Sequence, residues 1–383
     1  MTDGAGHPRS AVRRAGYRPE LQGLRALAVV LVVVYHVWVG RVSGGVDVFF
    51  FVTGFLLTGQ LVRAAEQGSL DVRQRWSRTL VRLVPTAAVV LAATAVAGAV
   101  LLPASRWAQT VREIGAAALF VENWQLAADA VDYAAQNDMA SVVQHFWSLS
   151  IQGQVFLLWP LLIAVVALAC RRAPGQLRRR ATLALFGVFV VSLAYSVELT
   201  VTDQPLAYFH TLTRLWEFAA GGLFALHADR IVLGLRARVA AGWAGVVGLV
   251  ACGAVLPVST VFPGVAALWP TGCAALVLLA GRTGAAGGVD RLLAARPVRY
   301  LGDISYALYL WHWPVLVLWL VTRGQQAVGL RGGAAIVLVS LVLAAVTHHL
   351  SSGRRCGCRR GAAAGSRPPR RRASWPSPGS GVW

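Results

Sequence analysis

Apolar stretches long enough to cross a bilayer recur along this chain of 383 residues, near 24–40, 46–62, 80–102, 146–169, 182–199, 212–227, 240–257, 263–281, 301–321 and 331–350. A helix rises 1.5 Å per residue, so about 20 apolar residues cover a hydrocarbon core of about 30 Å. Lipid offers no hydrogen-bond partners, and backbone polar groups must therefore be satisfied within the chain, which makes such runs helical. The expected fold is all-α: a polytopic integral membrane bundle of about ten helices, with the stretches around 212 and 301 less uniformly apolar than the rest.

Composition agrees, with 56% hydrophobic and only 14% charged residues. A net charge of +20 raises the question of nucleic acid, but its distribution answers otherwise. There is no lysine, and with the N-terminus inside, the arginines crowd the inside loops and both ends. The outside loops hold only Arg41, Arg106, Arg112, Arg323 and Arg331. Such asymmetry is the positive-inside rule, so the partner implied is the membrane lipid bilayer and no nucleic-acid partner is expected. No small-residue cleavage site follows the first apolar run, so an uncleaved first span is expected. Cys170, Cys252 and Cys273 lie in or beside spans and read as small apolar residues, and the tail pair Cys356 and Cys358 is weak evidence for metal.

The organisation expected is a cytoplasmic segment over 1–20, a membrane domain over 21–350 and a tail over 351–383. One loop breaks the short-loop pattern: 103–144 lies outside, carries Glu113, Glu122, Asp129, Asp132 and Asp138, and contains a helical stretch over 107–126. It is expected to fold over the outer mouth of the bundle.

Ionisable groups inside spans are costly and mark function or internal pairing. His36 lies in the first span, eleven residues after Arg25. At 100° per residue the two share one stripe with Val29 and Val32, roughly 16 Å apart. Asp47 opens the second span, either orienting His36 or capping its helix. Arg214 and Glu217 share a helix face, most simply as an internal ion pair. Arg75, Arg78 and Arg82 form one face entering the third span. Tyr306, Tyr309, Trp311, His312 and Trp313 crowd a single segment, where an aromatic interface belt explains the tryptophans.

The run RPELQGLRALAVVLVVVYH, followed by GGVDVFFFVTGFLLTGQL, resembles the opening of the bacterial type 3 membrane acyltransferases. RQRWSRTLVRLVP, VENWQLAADAVDY, HFWSLSIQGQVFLLWP, TRLWEFAAGGLFAL and YLGDISYALYLWHWPVLVL follow in the same order, over roughly residues 17–350. The resemblance implies a multi-pass protein of the bacterial cytoplasmic membrane. It would move an acyl group, often acetyl, from cytoplasmic acyl-coenzyme A (acyl-CoA) to a hydroxyl of a carbohydrate or other acceptor outside.

On that reading His36 is the general base, Arg25 steadies the donor phosphates or the oxyanion, and Asp47 assists the histidine. The alternative for Arg25 is a snorkelling helix-end arginine. Arg75, Arg78 and Arg82 are expected to bind the donor, or else to act as a plain inside anchor. His145 and Trp147, with Ser148, are expected at the acceptor, because aromatic faces stack on sugars. Tyr309, His312, Arg214 and Glu217 stand as acceptor-site or structural residues. No cluster has metal-ligand spacing, so neither metal nor bound cofactor is expected; acyl-CoA enters as co-substrate.

Two departures from the family pattern bear on activity. The text after WSLS usually reads V-E-E-Q, whereas here it is Ile151, Gln152, Gly153 and Gln154. The last span runs into a tail rich in Arg, Gly, Pro and Ser, expected to be disordered or the product of a frameshift near Leu350. The branch it resembles often carries an SGNH-type domain in addition. Two other readings therefore stand beside the enzyme: a transporter of acyl groups or lipid-linked sugar, with His36 as a proton relay, and an inactive remnant.

Overall fold

A computed structural model describes residues 18–40, 43–133, 140–255 and 261–364. Among these residues all regular structure is helical, and eight helices are long and apolar enough to cross a membrane. In chain order the α-helices are α1 (Pro19–Val34), α2 (Gly45–Glu66), α3 (Val72–Leu101), α4 (Trp107–Ala118), α5 (Glu122–Tyr133), α6 (Phe146–Ala169) and α7 (Leu177–Thr202). They continue with α8 (Gln204–Phe209), α9 (Leu215–His227), α10 (Leu235–Val255), α11 (Leu268–Ala280), α12 (Val289–Leu293), α13 (Arg296–Arg323) and α14 (Leu330–Ala364). The protein is thus the multi-pass helical membrane bundle that the sequence implies.

The windows around 212–227 and 263–281 differ from expectation: α9 and α11 have 13 residues each. At 1.5 Å per residue that is about 20 Å, short of a hydrocarbon core. Polar chemistry delays the start of α9, since Thr211–Thr213 is a 3-10 turn in which the Thr213 hydroxyl donates to the carbonyls of Ala207 and His210. Pro263 and a second 3-10 turn at Val265–Ala267 delay α11 in the same way.

Helix α1 lies inside the bundle, packed by α2, α11 and α13, with Leu24, Ala28, Val29 and Val32 buried. It runs parallel to α13: Gly302 lies against the backbone of Gln22, Ser305 meets Arg25, and His312 meets His36. Gly302 permits that approach, because a Cβ there would overlap the Gln22 backbone. The expected Arg25–His36 stripe is therefore one interface, and both residues face α13. On the perimeter, Val96 and Val100 of α3, Val191 and Val201 of α7, and Leu338 and Val342 of α14 are exposed, as lipid-facing positions require.

The long segment after α3 forms a helical cap, but the single helix expected over 107–126 is two. Helix α4 ends in a Schellman turn, with Val121 N donating to Ala116 O and Phe120 N to Ala117 O. Phe120 takes the left-handed position, at φ 59°, that usually favours glycine. A short buried network then ties α5 to the bundle. Gln154 Nε2 donates to Phe120 O and Asn123 Oδ1, Thr211 donates to Gln154 Oε1, and Asn123 Nδ2 donates to Phe209 O and Thr211 Oγ1. Backbone of the tail expected from Ser351 is described to Ala364, within α14; the rest of that expectation, and Asp138, lie outside the described residues.

Candidate active site

Helix α1 ends in a π turn, Tyr35–Val39, that contains His36; such turns are frequent at functional sites. His36 is half-buried, and its Nδ1 lies 3.0 Å from Nε2 of the fully buried His312, with the ring planes 11° apart and the centroids 5.3 Å apart. His312 Nδ1 in turn lies 2.6 Å from the carbonyl of Tyr309, one turn back on its own helix. Trp313 closes the edge of His36 at 4.9 Å.

A third histidine joins through a proline. Pro314 has no N–H, so the carbonyl of Leu310, four residues earlier, has no helical donor. His145 Nε2 takes it at 3.0 Å, and the His145 ring stands 5.7 Å from that of His312. Among the described residues no three His, Cys, Asp or Glu converge as a metal site. His36 bonds to His312, and His312 and His145 each bond to a backbone carbonyl.

Below this cluster, toward the arginine-rich end, a cavity of about 330 Å³ opens between α1, α2, α3, α6 and α13. Arg25, Arg75, Arg78 and Arg82 all line it, so the face expected on α3 and the arginine expected on α1 meet in one place. Arg25 donates to Gln22 Oε1 and Ser305 Oγ, both at 3.0 Å and both neutral; the acid whose charge it feels is the exposed Asp303. Arg75 donates to Gln60 at 3.2 Å.

The far wall carries Ser148 and Tyr309, whose hydroxyls are 2.7 Å apart, and Tyr309 Oη also donates to the His145 carbonyl at 2.8 Å. Tyr309 thus presents its side chain to the cavity while its carbonyl holds His312. Arginines and histidines meet across one residue.

Asp47 stands elsewhere. Its carboxylate accepts from Arg214 Nη2 at 2.9 Å, and Arg214 Nε lies 3.2 Å from Glu217, with all three side chains buried. Phe50, Trp147 and Tyr208 ring the guanidinium at 5.4, 5.5 and 5.9 Å. This corrects two expectations: the partner of His36 is His312 in place of Asp47, and Trp147 is buried against Arg214, Phe50, Tyr208 and Phe209, which leaves no open face for a sugar. The cause is common to both. A guanidinium this deep must be neutralised and covered, and these are the groups that do it. The Arg214–Glu217 pair is found as expected, with a third member.

The two departures after WSLS also separate. Gln152 lines the cavity and donates to Thr53 Oγ1 at 3.0 Å. Gly153 faces the cap, where an added Cβ would lie 2.6 Å from Phe120 Cδ1. The Phe120 ring fills the place of a side chain at 153, so only the change at 152 alters the cavity.

Outside the spans, burial raises the Glu122 carboxyl to about 9, with Glu113 and Asp129 adding to it. Both Glu122 oxygens are buried without a partner. Burial also raises Glu113, against hydrogen bonds from Ser141 and Gln109.

The membrane bundle thus holds a cationic cavity on one side of a half-buried and a buried histidine, and comparison with known proteins gives it a family. The "Acyltransferase domain" family model matches residues 18–349, and the chain belongs to that family of transferases. "Putative peptidoglycan O-acetyltransferase YrhL" of Bacillus subtilis (strain 168) is 30% identical over 349 residues, 87% of this chain and 54% of its own length. "O-acetyltransferase OatA" of Staphylococcus aureus (strain NCTC 8325 / PS 47) is 30% identical over 315 residues, 79% of this chain and 51% of its own. "Peptidoglycan O-acetyltransferase OatA" of Listeria monocytogenes serovar 1/2a (strain ATCC BAA-679 / EGD-e) is 27% identical over 318 residues, 79% and 50%. The chain spans about half the length of these curated relatives. No solved structure matches.

Sequence reasoning undervalued His312. No local spacing marks it; the carbonyl that Pro314 frees, that of Leu310, is a signal for His145.

Proposed function

We propose that this chain transfers an acetyl group from acetyl-CoA, on the cytoplasmic side of a bacterial inner membrane, to a hydroxyl of a cell-wall glycan on the other side. The observation that carries the reading is the cavity with four arginines on its lining and the Tyr309–Ser148 wall adjoining His36 and His312. Coenzyme A has the same polarity: phosphates at one end, a thioester at the other, and a pantetheine arm between. The cavity's volume falls in the ordinary range for small-ligand sites. The excess of arginine on one side supports the cytoplasm as the donor side, and the names of the relatives support peptidoglycan as the acceptor.

In this reaction His36 takes the proton of the glycan hydroxyl as its oxygen attacks the thioester carbonyl. The C–O bond forms and the C–S bond breaks. The coenzyme leaves as thiolate and takes up the proton held by His36. Arg25 neutralises donor phosphate or developing oxyanion charge, a role that its two neutral partners leave open. Arg75, Arg78 and Arg82 attract the phosphates. Gln152 keeps a hydrogen bond in the cavity where relatives of this branch carry an acid, and the transfer reaction proceeds without that charge.

Membranes containing the protein, supplied with acetyl-labelled acetyl-CoA and peptidoglycan fragments, test the reading. It predicts alkali-labile label on the glycan. Label that crosses and accumulates as free acetate with no ester formed would make the protein a transporter, and label that stays on CoA would make it a remnant.

A further inference from the structure

The histidine pair carries more than proximity, because its two hydrogen bonds and a fixed acceptor determine where the protons sit. A backbone carbonyl only accepts. His312 Nδ1, 2.6 Å from the Tyr309 carbonyl, therefore bears a hydrogen. In a neutral imidazole the other nitrogen is then bare, so Nε2 of His312 is an acceptor. The atom 3.0 Å from it is His36 Nδ1, which must be the donor. His36 is thereby left with its lone pair on Nε2.

From this chain of bonds we infer that His312 is a positioning residue: it fixes His36 as the Nδ1–H tautomer and leaves Nε2 of His36 as the atom that takes the acceptor proton. The inference rests on the acetyl-transfer reading and adds to it the identity of the reacting nitrogen and of the group that selects it. When His36 takes the proton on Nε2, its Nδ1–H bond to His312 becomes charge-assisted and shortens, which stabilises the imidazolium that forms. His312 thus does what a carboxylate does beside many catalytic histidines, without placing a formal charge in the bundle. Fixing the tautomer needs a rigid acceptor, and His312 is one: it is fully buried, its ring plane lies within 11° of that of His36, as a hydrogen bond between two ring nitrogens requires, and it is tied to its own helix.

His145 follows the same rule. The Leu310 carbonyl left free by Pro314 accepts from its Nε2, so its lone pair lies on Nδ1, and that atom is buried with no protein partner. Two carbonyls of the proline-containing helix α13 thus set the tautomers of His312 on that helix and of His145 at the start of α6.

The experiment uses the full-length protein in liposomes, with ¹⁵N-labelled histidine and His36 signals assigned by difference against His36→Asn. Neutral His36 is expected to show a protonated Nδ1 and a bare Nε2. For activity, His312→Leu removes the acceptor and is expected to lower acetyl transfer roughly 10²- to 10⁴-fold while acetyl-CoA binding is kept. His312→Gln supplies an amide oxygen at the same distance and is expected to recover most of that loss. Neutral His36 protonated on Nε2 in the wild type would overturn the inference, and so would equal activity of the two His312 variants. Should His312→Leu fail to fold, the wild-type spectrum still decides. Full activity in His36→Ala would sink the acetyl-transfer reading itself, whereas loss there with neither His312 variant affected would sink only the positioning role.

Discussion

Arg25 and Arg214 both lie within this bundle, and the protein treats them in opposite ways. Arg214 is sealed: Asp47 and Glu217 flank it, three aromatic rings cover it, and the whole group is buried. Arg25 is half-buried on a cavity wall, held by a glutamine and a serine that fix its direction without cancelling its charge. A cation neutralised by the protein is architecture, while a cation oriented but left charged is prepared for a ligand that brings the anion. The contrast separates scaffold from site without reference to any relative.

The contrast can be broken by substitution, and Arg214 should give the largest effect. Arg214→Ala leaves two buried carboxylates facing each other and should cost about 3–5 kcal/mol, read as a large fall in the detergent-solubilised unfolding midpoint. If Arg214→Ala were as stable as wild type, the sealed group would not be structural. Arg25→Ala should leave that midpoint near wild type and weaken acetyl-CoA binding by roughly 10- to 100-fold, since a charge-assisted hydrogen bond is worth about 1.5–3 kcal/mol. Unchanged donor affinity would remove Arg25 from the site. Arg75→Ala and Arg78→Ala should each weaken donor binding by less than about tenfold, because charges open to solvent, as the half-buried Arg75 and the exposed Arg78 are, contribute about 1 kcal/mol or less, and the loss should shrink with added salt.

Glu122 in the cap, an acid that is neither paired nor open, sharpens the comparison through pH. Its carboxyl is raised in the folded protein from 4.5 to about 9, by burial first. Between those values the folded state holds a proton that the unfolded chain releases, so this group lowers stability as pH rises from 4.5 toward 9. Glu122→Gln should flatten that fall and leave stability below pH 4.5 unchanged; a wild-type pH dependence in the variant would contradict the assignment.

Periodicity and length carried most of the fold into the sequence. Helical spans, the stripe joining Arg25 and His36, and the shared face of Arg75, Arg78 and Arg82 all follow from spacing along one helix. What spacing cannot carry is partnership between helices. His36 and His312 are 276 residues apart and Asp47 and Arg214 are 167 apart, so nothing local links them. Asp47 seemed the natural partner for His36 because it is near in sequence, yet the stronger demand was the uncompensated Arg214. Balancing every buried charge first would have assigned Asp47 to Arg214 and left His36 in need of a neutral partner. The break at Phe120 was equally hidden, because the residue that allows it is the facing Gly153 on another helix.

The central claim is that His36 performs the chemistry while the arginine cavity holds the donor. It is tested most directly by acetyl transfer from labelled acetyl-CoA in proteoliposomes of His36→Ala, at donor concentrations that saturate binding. The account predicts transfer reduced roughly 10²- to 10⁴-fold with donor affinity unchanged. Transfer at the wild-type rate, or loss of donor binding in step with transfer, would contradict it.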